Sequence, residues 1–322
     1  MRRMDRRYRV WVDRSIRGID VPADAALVDS PAGADGVIVG PGEPWGAAAC
    51  ERFGQLKVVA RPGVGYDNVD VAACAAAGVA ACNTPDAPTV STAEHALALL
   101  LAVAKRLKPA EHRLRAGSAD LRGLNERAPL ELDGRTLGLV GCGRIGSRLG
   151  GYAEALGMKV LAYDPHLESA PLGELVGLEE LWARAEVISL HAPATAATRH
   201  IVDAAALAAM RPGVLIVNCA RGALVDTAAL LAALESGHVA GCGLDVTDPE
   251  PLPADHPLLA RSDVIVTPHV ASTTAAGHVR LISAALEQCL TWLRGGTPEH
   301  LLDPAAADPA VDRRRRTAGE AR

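Results

Sequence analysis

Aromatic residues and long apolar runs are both scarce in this sequence. Aromatic side chains make up 3% of the 322 residues, and Phe53 is the single phenylalanine. A base-stacking surface for nucleic acid needs exposed aromatic rings, so the composition gives that function little support. The longest uninterrupted apolar stretch, residues 96–104, is far shorter than the roughly 18 residues that a transmembrane helix requires. We therefore expect neither a nucleic acid nor a membrane among the partners of this chain.

The sequence also has no large excess of one charge and no paired cysteine motif. Lys and Arg total 33 against 38 Asp and Glu, a net charge of -5 that argues against a basic nucleic-acid surface. The seven cysteines are scattered and never form a CxxC pair, so we expect buried, reduced thiols. The first 13 residues are positively charged, but no apolar segment follows them as in a signal peptide. These features favour a globular protein of the reduced cytoplasm, and no metal site is predicted.

Short runs rich in Val and Ile alternate with Ala- and Leu-rich segments along most of the chain. The runs are apolar at successive positions, as in parallel strands that are covered on both faces. Such alternation is typical of doubly wound α/β sheets, and the length allows about two domains. The tail from residue 303 lacks apolar periodicity, so we expect it to be disordered, with the Arg run 313–316 in solvent. Strands are predicted over residues 9–12, 36–39, 57–60, 79–82, 136–140, 159–163, 186–190, 214–218, 241–244 and 263–267.

Two long helices are predicted to carry the chain between the domains. The first covers residues 91–107, with Thr89 and Ser91 as candidate caps, and the second lies near residues 275–294. The charged stretch 108–135, which follows the first helix, is expected to be less regular and to form the crossing.

A glycine motif follows the strand predicted over residues 136–140. It reads Gly141-x-Gly143-x-x-Gly146 and opens a helix. Gly141 allows the tight turn, Gly143 allows a pyrophosphate to approach the backbone, and Gly146 allows close packing of helix and strand. The next strand ends at Asp164, where an acidic residue is expected to bind both ribose hydroxyls and to repel a 2′-phosphate. The motif therefore predicts a dinucleotide-binding domain that prefers NAD to NADP.

Three charged side chains follow successive predicted strands downstream of the glycine motif: Arg221, Glu250 and His269. Ligands bind at the carboxyl ends of strands in open α/β sheets, so we expect these side chains to converge. An arginine binds a carboxylate bidentately and polarises a neighbouring carbonyl. A histidine moves a proton near neutral pH, and a glutamate on its other nitrogen fixes the tautomer. The three residues together predict an acid–base site.

Taken in order, these motifs resemble the D-isomer-specific 2-hydroxyacid dehydrogenase family, from about residue 10 to residue 302. The resemblance implies the NAD-dependent interconversion of a 2-keto acid and a D-2-hydroxy acid, with Arg221, Glu250 and His269 as the catalytic set. The matching stretches are RPGVGYDNVD (61–70), VGCGRIGSRLG (140–150), YDP (163–165), LHAPATAATRHIV (190–202), VNCARGALVD (217–226), GLDVTDPEP (243–251) and TPHVAS (267–272).

The resemblance also implies further binding residues. Backbone amides of Val64 and Gly65 would bind the substrate carboxylate, as would Arg221, and Asp245 would hold the nicotinamide carboxamide. His191 would line the cofactor, although its interpretation as a core histidine stays equally open. The remaining implied cofactor contacts are Thr89, Gly141, Gly143, Arg144, Ile145, Gly146, Asp164, Pro193, Thr198, Cys219, Ala220 and His269.

The fold that the resemblance implies has two doubly wound parallel-sheet domains. A flavodoxin-like substrate domain would comprise residues 1–106 and 290–322, and a Rossmann NAD-binding domain, residues 107–289, would be inserted into it. The resemblance further implies a homodimer through the NAD-binding domains, with the stretch 108–135 against the partner.

The resemblance leaves the substrate open. Glu250 argues against formate, because formate-oxidising relatives carry Gln at that place, whereas phosphite oxidation is not excluded. Glyoxylate, hydroxypyruvate, its 3-phosphate and larger 2-keto acids are all compatible, although Arg61 is the single cation in the stretch 61–70 and gives a phosphate little support. No room for an appended regulatory domain is expected. The alternative function is NAD(H) sensing without catalysis, as in the C-terminal-binding-protein corepressors, which keep the same three charged residues.

Overall fold

The computed structural model describes residues 7–13, 18–118 and 128–302. The chain divides into two compact units. The first unit combines Met1–Pro88 with Ala275–Arg322, and the second unit is the continuous segment Thr89–Thr274.

A five-stranded parallel sheet forms the centre of the first unit. Its spatial order is β2-β1-β3-β4-β5, the order of flavodoxin-like folds, which agrees with the predicted fold class. One face is covered by two short helices and the other by the long last helix, so both faces are buried. The strands are β1 (Tyr8–Val12), β2 (Ala25–Val28), β3 (Gly36–Ile38), β4 (Val58–Arg61) and β5 (Ala80–Asn83), and the helices are α1 (Ala47–Arg52), α2 (Val71–Ala76) and α10 (Ala275–Leu293).

A seven-stranded parallel sheet forms the centre of the second unit. Its strands are β6 (Thr136–Val140), β7 (Lys159–Tyr163), β8 (Glu174–Leu175), β9 (Val187–Leu190), β10 (Val214–Asn218), β11 (Val239–Leu244) and β12 (Val264–Val266), in the spatial order β12-β11-β10-β9-β6-β7-β8. The chain runs from β6 outward to β8 and then returns to β9 on the other side of β6. This is the strand order of dinucleotide-binding folds, extended by one strand, and it confirms the predicted Rossmann domain. The switch point lies between β6 and β9.

Helices cover both faces of the seven-stranded sheet. On one face, Leu99, Leu139 and Leu149 belong to one buried cluster. On the other face, Leu181 and Ile216 belong to a second. The helices of this unit are α3 (Thr89–Ala104), α4 (Leu107–Arg115), α5 (Arg144–Ala155), α6 (Leu178–Arg184), α7 (Ala204–Ala209), α8 (Thr227–Glu235) and α9 (Pro257–Ala260).

The boundaries of the two units lie at the beginnings of the long helices. Helix α3 packs against β10 and β11 of the second unit, and α10 packs against β3, β4 and β5 of the first. The predicted boundaries, at 106/107 and 289/290, place each helix with the other unit, whereas the chain divides at 88/89 and 274/275. The alternation of strands and helices does not show which sheet a helix covers, and this accounts for the difference.

The edge strands β2 and β8 and the helix α4 were not predicted. Strand β8 has two residues, too few for a recognisable apolar run, and two of the four residues of β2 are alanines, which do not distinguish a strand from a helix. The helix predicted over residues 91–107 is interrupted, because Arg106 has a left-handed φ of 54° between α3 and α4. The stretch 108–135, predicted to be less regular, therefore begins within the helix α4. Pro109 is tolerated there because it lies in the first helical turn.

The predicted capping of the first long helix is wrong. Helix α3 begins at Thr89, so neither Thr89 nor Ser91 is in the cap position. The buried Oγ1 atom of Thr89 has no hydrogen-bond partner among the described residues. The Ser91 hydroxyl lies 3.0 Å from the Thr274 hydroxyl instead.

The seven cysteines are buried and free, which confirms the prediction of reduced thiols. Burial raises the pKa of Cys74 and of Cys82 to about 12, so both thiols stay protonated at neutral pH.

Some predictions concern parts of the chain that the structure does not test. The tail from residue 303, with its Arg run 313–316, lies outside the described residues, as do residues 119–127 of the charged stretch. Within the described ranges, no helix is both long enough and apolar enough to span a membrane.

Candidate active site

A glycine turn connects β6 to α5 at the switch point of the seven-stranded sheet. Gly141 has a left-handed φ of 92°, and a Cβ there would lie 2.8 Å from the carbonyl carbon of His191. A Cβ on Gly146 would collide with the carbonyl oxygen of Gly141. A Cβ on Gly143 would meet no atom of the described residues within 4 Å. The turn is therefore closed toward the protein and open at Gly143, where the N-terminus of α5 favours an anion.

Asp164 follows β7 and lies beside the glycine turn. Its carboxylate accepts hydrogen bonds from the backbone N–H groups of Cys142 and His166, each at 3.0 Å. These bonds fix a partly exposed carboxylate next to the turn. Arg144 and Ile145 occupy the first turn of α5, where Arg144 is exposed and Ile145 is half-buried.

His191 follows β9, on the other side of the switch point. Its backbone N–H donates to the Val140 carbonyl at 2.8 Å, and its Nε2 lies 2.9 Å from the Ser189 hydroxyl. Burial lowers the pKa of His191 to about 4, so the imidazole is neutral at pH 7. In the exposed turn that follows, the Thr198 hydroxyl donates to the Pro193 carbonyl at 2.6 Å.

Arg221 lies in the turn after β10, and the fully buried side chain of Asn218 shapes this turn. The Asn218 Oδ1 accepts from the Ala220 N–H at 3.0 Å, and its Nδ2 donates to the Arg221 carbonyl at 2.8 Å. The guanidinium of Arg221 donates to the Ala220 carbonyl at 2.7 Å. Cys219 is buried, and burial raises the pKa of its thiol. Asn218 was not among the predicted site residues, although an amide at a strand end near a charged residue is a usable signal in the sequence.

Glu250 lies in the long turn after β11. The Thr227 hydroxyl, at the start of α8, donates to the Asp248 carbonyl at 2.7 Å and so anchors this turn. A Cβ on Gly222 would collide with the Thr247 carbonyl oxygen. The absence of a side chain at Gly222 therefore allows the turns after β10 and β11 to touch.

The structure brings His269 and Glu250 into direct contact. The Nδ1 of His269 lies 2.7 Å from Oε1 of Glu250, and both side chains are partly exposed, at 45% and 40%. The hydrogen bond from His269 is the main cause of a lowered pKa of Glu250, and the charge of Arg221 adds to it. An ionised Glu250 requires a hydrogen on Nδ1, so Nε2 is the nitrogen of His269 that can exchange a proton.

Asp245, at the end of β11, holds the loop that carries His269. Its side chain has no exposed surface and accepts from the Thr267 hydroxyl at 2.6 Å and from the Val270 and Ala271 N–H groups at 2.9 Å. Its carbonyl oxygen accepts from the His269 N–H at 2.8 Å. The resemblance implies a contact between Asp245 and the nicotinamide carboxamide, whereas in the structure both carboxylate oxygens are bound to this loop.

Val64 and Gly65 lie in the loop after β4 of the first unit. The Gly63 N–H donates to the Thr84 hydroxyl at 2.7 Å, and the Asn83 side chain donates to the Val64 carbonyl at 2.8 Å. The N–H groups of Val64 and Gly65 donate to no other described residue. Two adjacent backbone donors are therefore available on a loop that is anchored from both sides.

Two further predictions concern Thr89 and metal binding. Thr89, an implied cofactor contact, is half-buried at the start of α3. In the part of the chain that the structure describes, no three His, Cys, Asp or Glu side chains are arranged to hold a metal ion.

The glycine turn and the three charged residues, Arg221, Glu250 and His269, lie within a segment that matches a known family model. Residues 97–271 match the model of the D-isomer specific 2-hydroxyacid dehydrogenase, NAD binding domain. The match covers more than half of the chain. The chain belongs to the D-isomer-specific 2-hydroxyacid dehydrogenase family. Its second unit is accordingly an NAD-binding domain.

Individual relatives are similar to this chain over most of its length. It is 43% identical over 269 residues to the D-3-phosphoglycerate dehydrogenase of Mycobacterium leprae, which is 82% of this chain and 50% of the relative. It is 37% identical to the glyoxylate reductase of Aeropyrum pernix over 79% of each chain. The structure of D-lactate dehydrogenase from Aquifex aeolicus, complexed with NAD and lactic acid, superposes with a TM-score of 0.78 at 30% identity and covers 91% of this chain and 98% of that one. The chain thus spans about half the length of the phosphoglycerate dehydrogenase.

The glycine turn of this family member fits NAD. The open side of Gly143 leaves space for a pyrophosphate at the N-terminus of α5, where backbone N–H groups have no partner within the helix. The carboxylate of Asp164 is fixed beside the turn and has acceptor capacity left for ribose hydroxyls. The same negative charge disfavours the 2′-phosphate of NADP.

Proposed function

We propose that this chain interconverts a 2-keto acid and a D-2-hydroxy acid, with NAD as the redox partner. The observation that carries the proposal is the hydrogen bond of 2.7 Å between His269 and Glu250 at the carboxyl edge of an NAD-binding sheet. Arg221 is close enough to lower the pKa of the same glutamate through its charge. An acid–base pair and a cation at one edge of the sheet suit a substrate that has both a carboxylate and a reacting carbonyl.

In this proposal, His269 exchanges the proton of the substrate oxygen through Nε2. Protonated His269 donates that proton during keto-acid reduction, and neutral His269 accepts it during hydroxy-acid oxidation. Glu250 stays ionised because its pKa is lowered, so it orients the ring and stabilises the imidazolium in both directions.

Arg221 binds the substrate carboxylate and polarises the keto group. A guanidinium presents a planar pair of N–H donors that matches a carboxylate, and a cation near the carbonyl oxygen stabilises the charge that develops there. The unused N–H donors of Val64 and Gly65 support a role for these residues in carboxylate binding too.

The glycine turn holds the cofactor in the proposed reaction. Gly141, Gly143 and Gly146 leave the backbone accessible to the pyrophosphate, and Asp164 binds the ribose. Bound NADH supplies the hydride for reduction, and NAD accepts it in the reverse direction.

The candidate substrates differ in the side chain of the keto acid, and above all in whether it carries a phosphate. The similar proteins are named for phosphoglycerate, glyoxylate and lactate, which are small hydroxy or keto acids. Arg61 donates to Asn68 at 3.2 Å and to the carbonyl of Pro62, so a phosphate bound to Arg61 would compete with these bonds. The exposed apolar side chains of Val64 and Tyr66, in the same loop, favour a substrate without a phosphate.

Oxidation of NADH should be measured at 340 nm with glyoxylate, hydroxypyruvate, its 3-phosphate, pyruvate, phenylpyruvate and 2-ketoisocaproate. We expect one keto acid to exceed the others by at least about tenfold in kcat/KM. NADH should be preferred to NADPH, and Asp164→Ser is the matched variant in which this preference should narrow, because the carboxylate repels the 2′-phosphate. Tight NADH binding without turnover on any keto acid would contradict the proposal and favour the NAD(H)-sensing function.

We also propose that the chain forms a homodimer through its second unit. Leu107 and Leu114 are 56% and 67% exposed and lie seven positions apart on one face of α4, and apolar side chains that share an exposed face are candidates for a contact surface. The cytoplasm stays our prediction for the compartment, and the seven free thiols support it.

A further inference from the structure

Helix α3 lies unusually close to strand β11, because two glycines of the strand face it. A Cβ on Gly241 would lie 2.9 Å from a methyl group of Val103, and a Cβ on Gly243 would lie 2.8 Å from the Cβ of Leu99. Four residues of helix and two residues of strand span nearly the same length, about 6 Å and about 6.6 Å. The next pair in this register is His95 with Asp245, at the carboxyl end of the strand.

His95 and Asp245 are joined through the Thr267 hydroxyl. The Nε2 of His95 lies 3.0 Å from Oγ1 of Thr267, and this hydroxyl donates to Oδ1 of Asp245 at 2.6 Å. Because the hydrogen of the hydroxyl is committed to the carboxylate, Nε2 of His95 must be the donor to Oγ1. The Nε2 atom also lies 3.5 Å from Oδ1 of Asp245. A chain of two hydrogen bonds therefore runs from α3 to the buried carboxylate.

The same helix also contacts the far end of the loop. We call residues 267–274 the catalytic loop, since it carries His269. Ser91 lies one helical turn before His95, and its hydroxyl lies 3.0 Å from the hydroxyl of Thr274. One face of α3 thus contacts the first and the last residue of the catalytic loop, while Asp245 binds the amides between them.

The catalytic loop needs such anchoring because of the backbone at His269. This residue has a left-handed φ of 54°, a conformation that a non-glycine residue keeps only when its surroundings enforce it. Its N–H is bound to the Asp245 carbonyl, and its ring is partly exposed and free to rotate away from Glu250 if the loop loosens.

We propose that His95 is a positioning residue, which holds the catalytic loop through Thr267 and Asp245 and thereby fixes His269 for proton transfer. The effect on catalysis rests on the proposed function, whereas the anchoring of the loop does not. Among the described residues, the polar side-chain contacts of His95 are with Thr267 and Asp245, and not with His269 or Glu250. Its loss acts through geometry, and a displacement of about 1 Å in a reacting group costs about 100-fold in rate.

Hydrogen–deuterium exchange over residues 267–274 tests the anchoring without any assay of activity. In His95→Ala and in Thr267→Val we expect the Val270 and Ala271 amides to exchange about five- to tenfold faster than in the wild type, since His95→Ala removes the first bond of the chain and Thr267→Val removes both. His95→Gln keeps a donor near the position of Nε2, and Thr267→Ser keeps the hydroxyl, so both should restore slow exchange. His238→Ala is the control, because His238 has its own Nε2 contact to the Met210 carbonyl at the opposite end of β11.

Kinetics of the same variants test the consequence for catalysis. We expect kcat to fall about 10- to 100-fold in His95→Ala and in Thr267→Val, with recovery to within about threefold of wild type in His95→Gln and Thr267→Ser. The Kd for NADH should change less than about twofold, which a general loss of folding would not allow.

The exchange and kinetic experiments test the anchoring of the catalytic loop and the proposed function separately. Unchanged exchange in His95→Ala overturns the proposal, and so does faster exchange with unchanged kcat. Absence of keto-acid turnover in the wild type contradicts the proposed function instead, and the exchange experiment still decides whether His95 anchors the loop.

Discussion

His269→Gln is expected to reduce kcat for keto-acid reduction by about 10²–10⁴-fold, the range of general acid–base catalysis. Glutamine keeps a polar side chain of similar size but cannot carry the transferable proton. Steady-state rates with NADH and the best keto acid measure the effect, and fluorescence titration with NADH is the control, since cofactor affinity should be unchanged. A variant with kcat within about fivefold of wild type would exclude His269 as the proton donor.

The direction of the pH dependence follows from the same assignment. Glu250 has to be ionised to orient His269, so the protonation state of this carboxylate sets the acid side of the pH profile. Because the pKa of Glu250 is lowered by its hydrogen bond from His269, the carboxylate keeps its charge below the usual range of a glutamate and loses it only as pH falls through that lowered value. The kcat for reduction should therefore fall on the acid side as Glu250 is protonated, and Glu250→Gln, which has no titrating carboxylate, should have a lower kcat without this acid limb. An acid limb that persists in Glu250→Gln would contradict the pairing.

Arg221→Lys is expected to lower kcat/KM by about 100-fold. Lysine keeps the positive charge but not the planar pair of donors, and the loss of two charge-assisted hydrogen bonds at about 1.5 kcal/mol each amounts to about 3 kcal/mol. If Arg221 binds only the carboxylate, the change appears in KM, and if it also polarises the keto group, kcat falls as well.

Separate measurement of kcat and KM with the best keto acid therefore resolves both roles of Arg221. Arg148→Lys, at an exposed arginine of α5 that contacts Tyr152, is the matched control and should leave both constants within about twofold of wild type. A kcat/KM for Arg221→Lys within about fivefold of wild type would contradict the assignment.

Local sequence patterns predicted the central strands well. The strands predicted over residues 136–140, 159–163 and 214–218 have the same limits in the structure, because each contains a run of buried, mostly apolar residues that is bounded by polar or glycine residues. The two-residue edge strand β8 has no such run, and the break at Arg106 depends on a backbone conformation that its sequence does not signal.

The parts of the site that depend on distant residues were not predictable in the same way. The position of Glu250 beside His269 was expected because both follow neighbouring strands. The burial of Asp245 was not expected, since this burial results from a loop that folds back after β12. The contact between His95 and Thr267 joins residues 172 positions apart, and it depends on the register of α3 on two glycines of β11.

The stereochemistry of the reduced product shows whether the substrate is held in one orientation by Arg221 and His269. If Arg221 fixes the carboxylate and His269 faces the keto oxygen, one face of the carbonyl carbon would stay turned toward the nicotinamide, so a single enantiomer should form, and the family match indicates the D form. The best prochiral keto acid should be reduced with NADH and the product separated on a chiral column. We expect at least about 99% of the D-2-hydroxy acid, and a racemic or L product would contradict the proposed function.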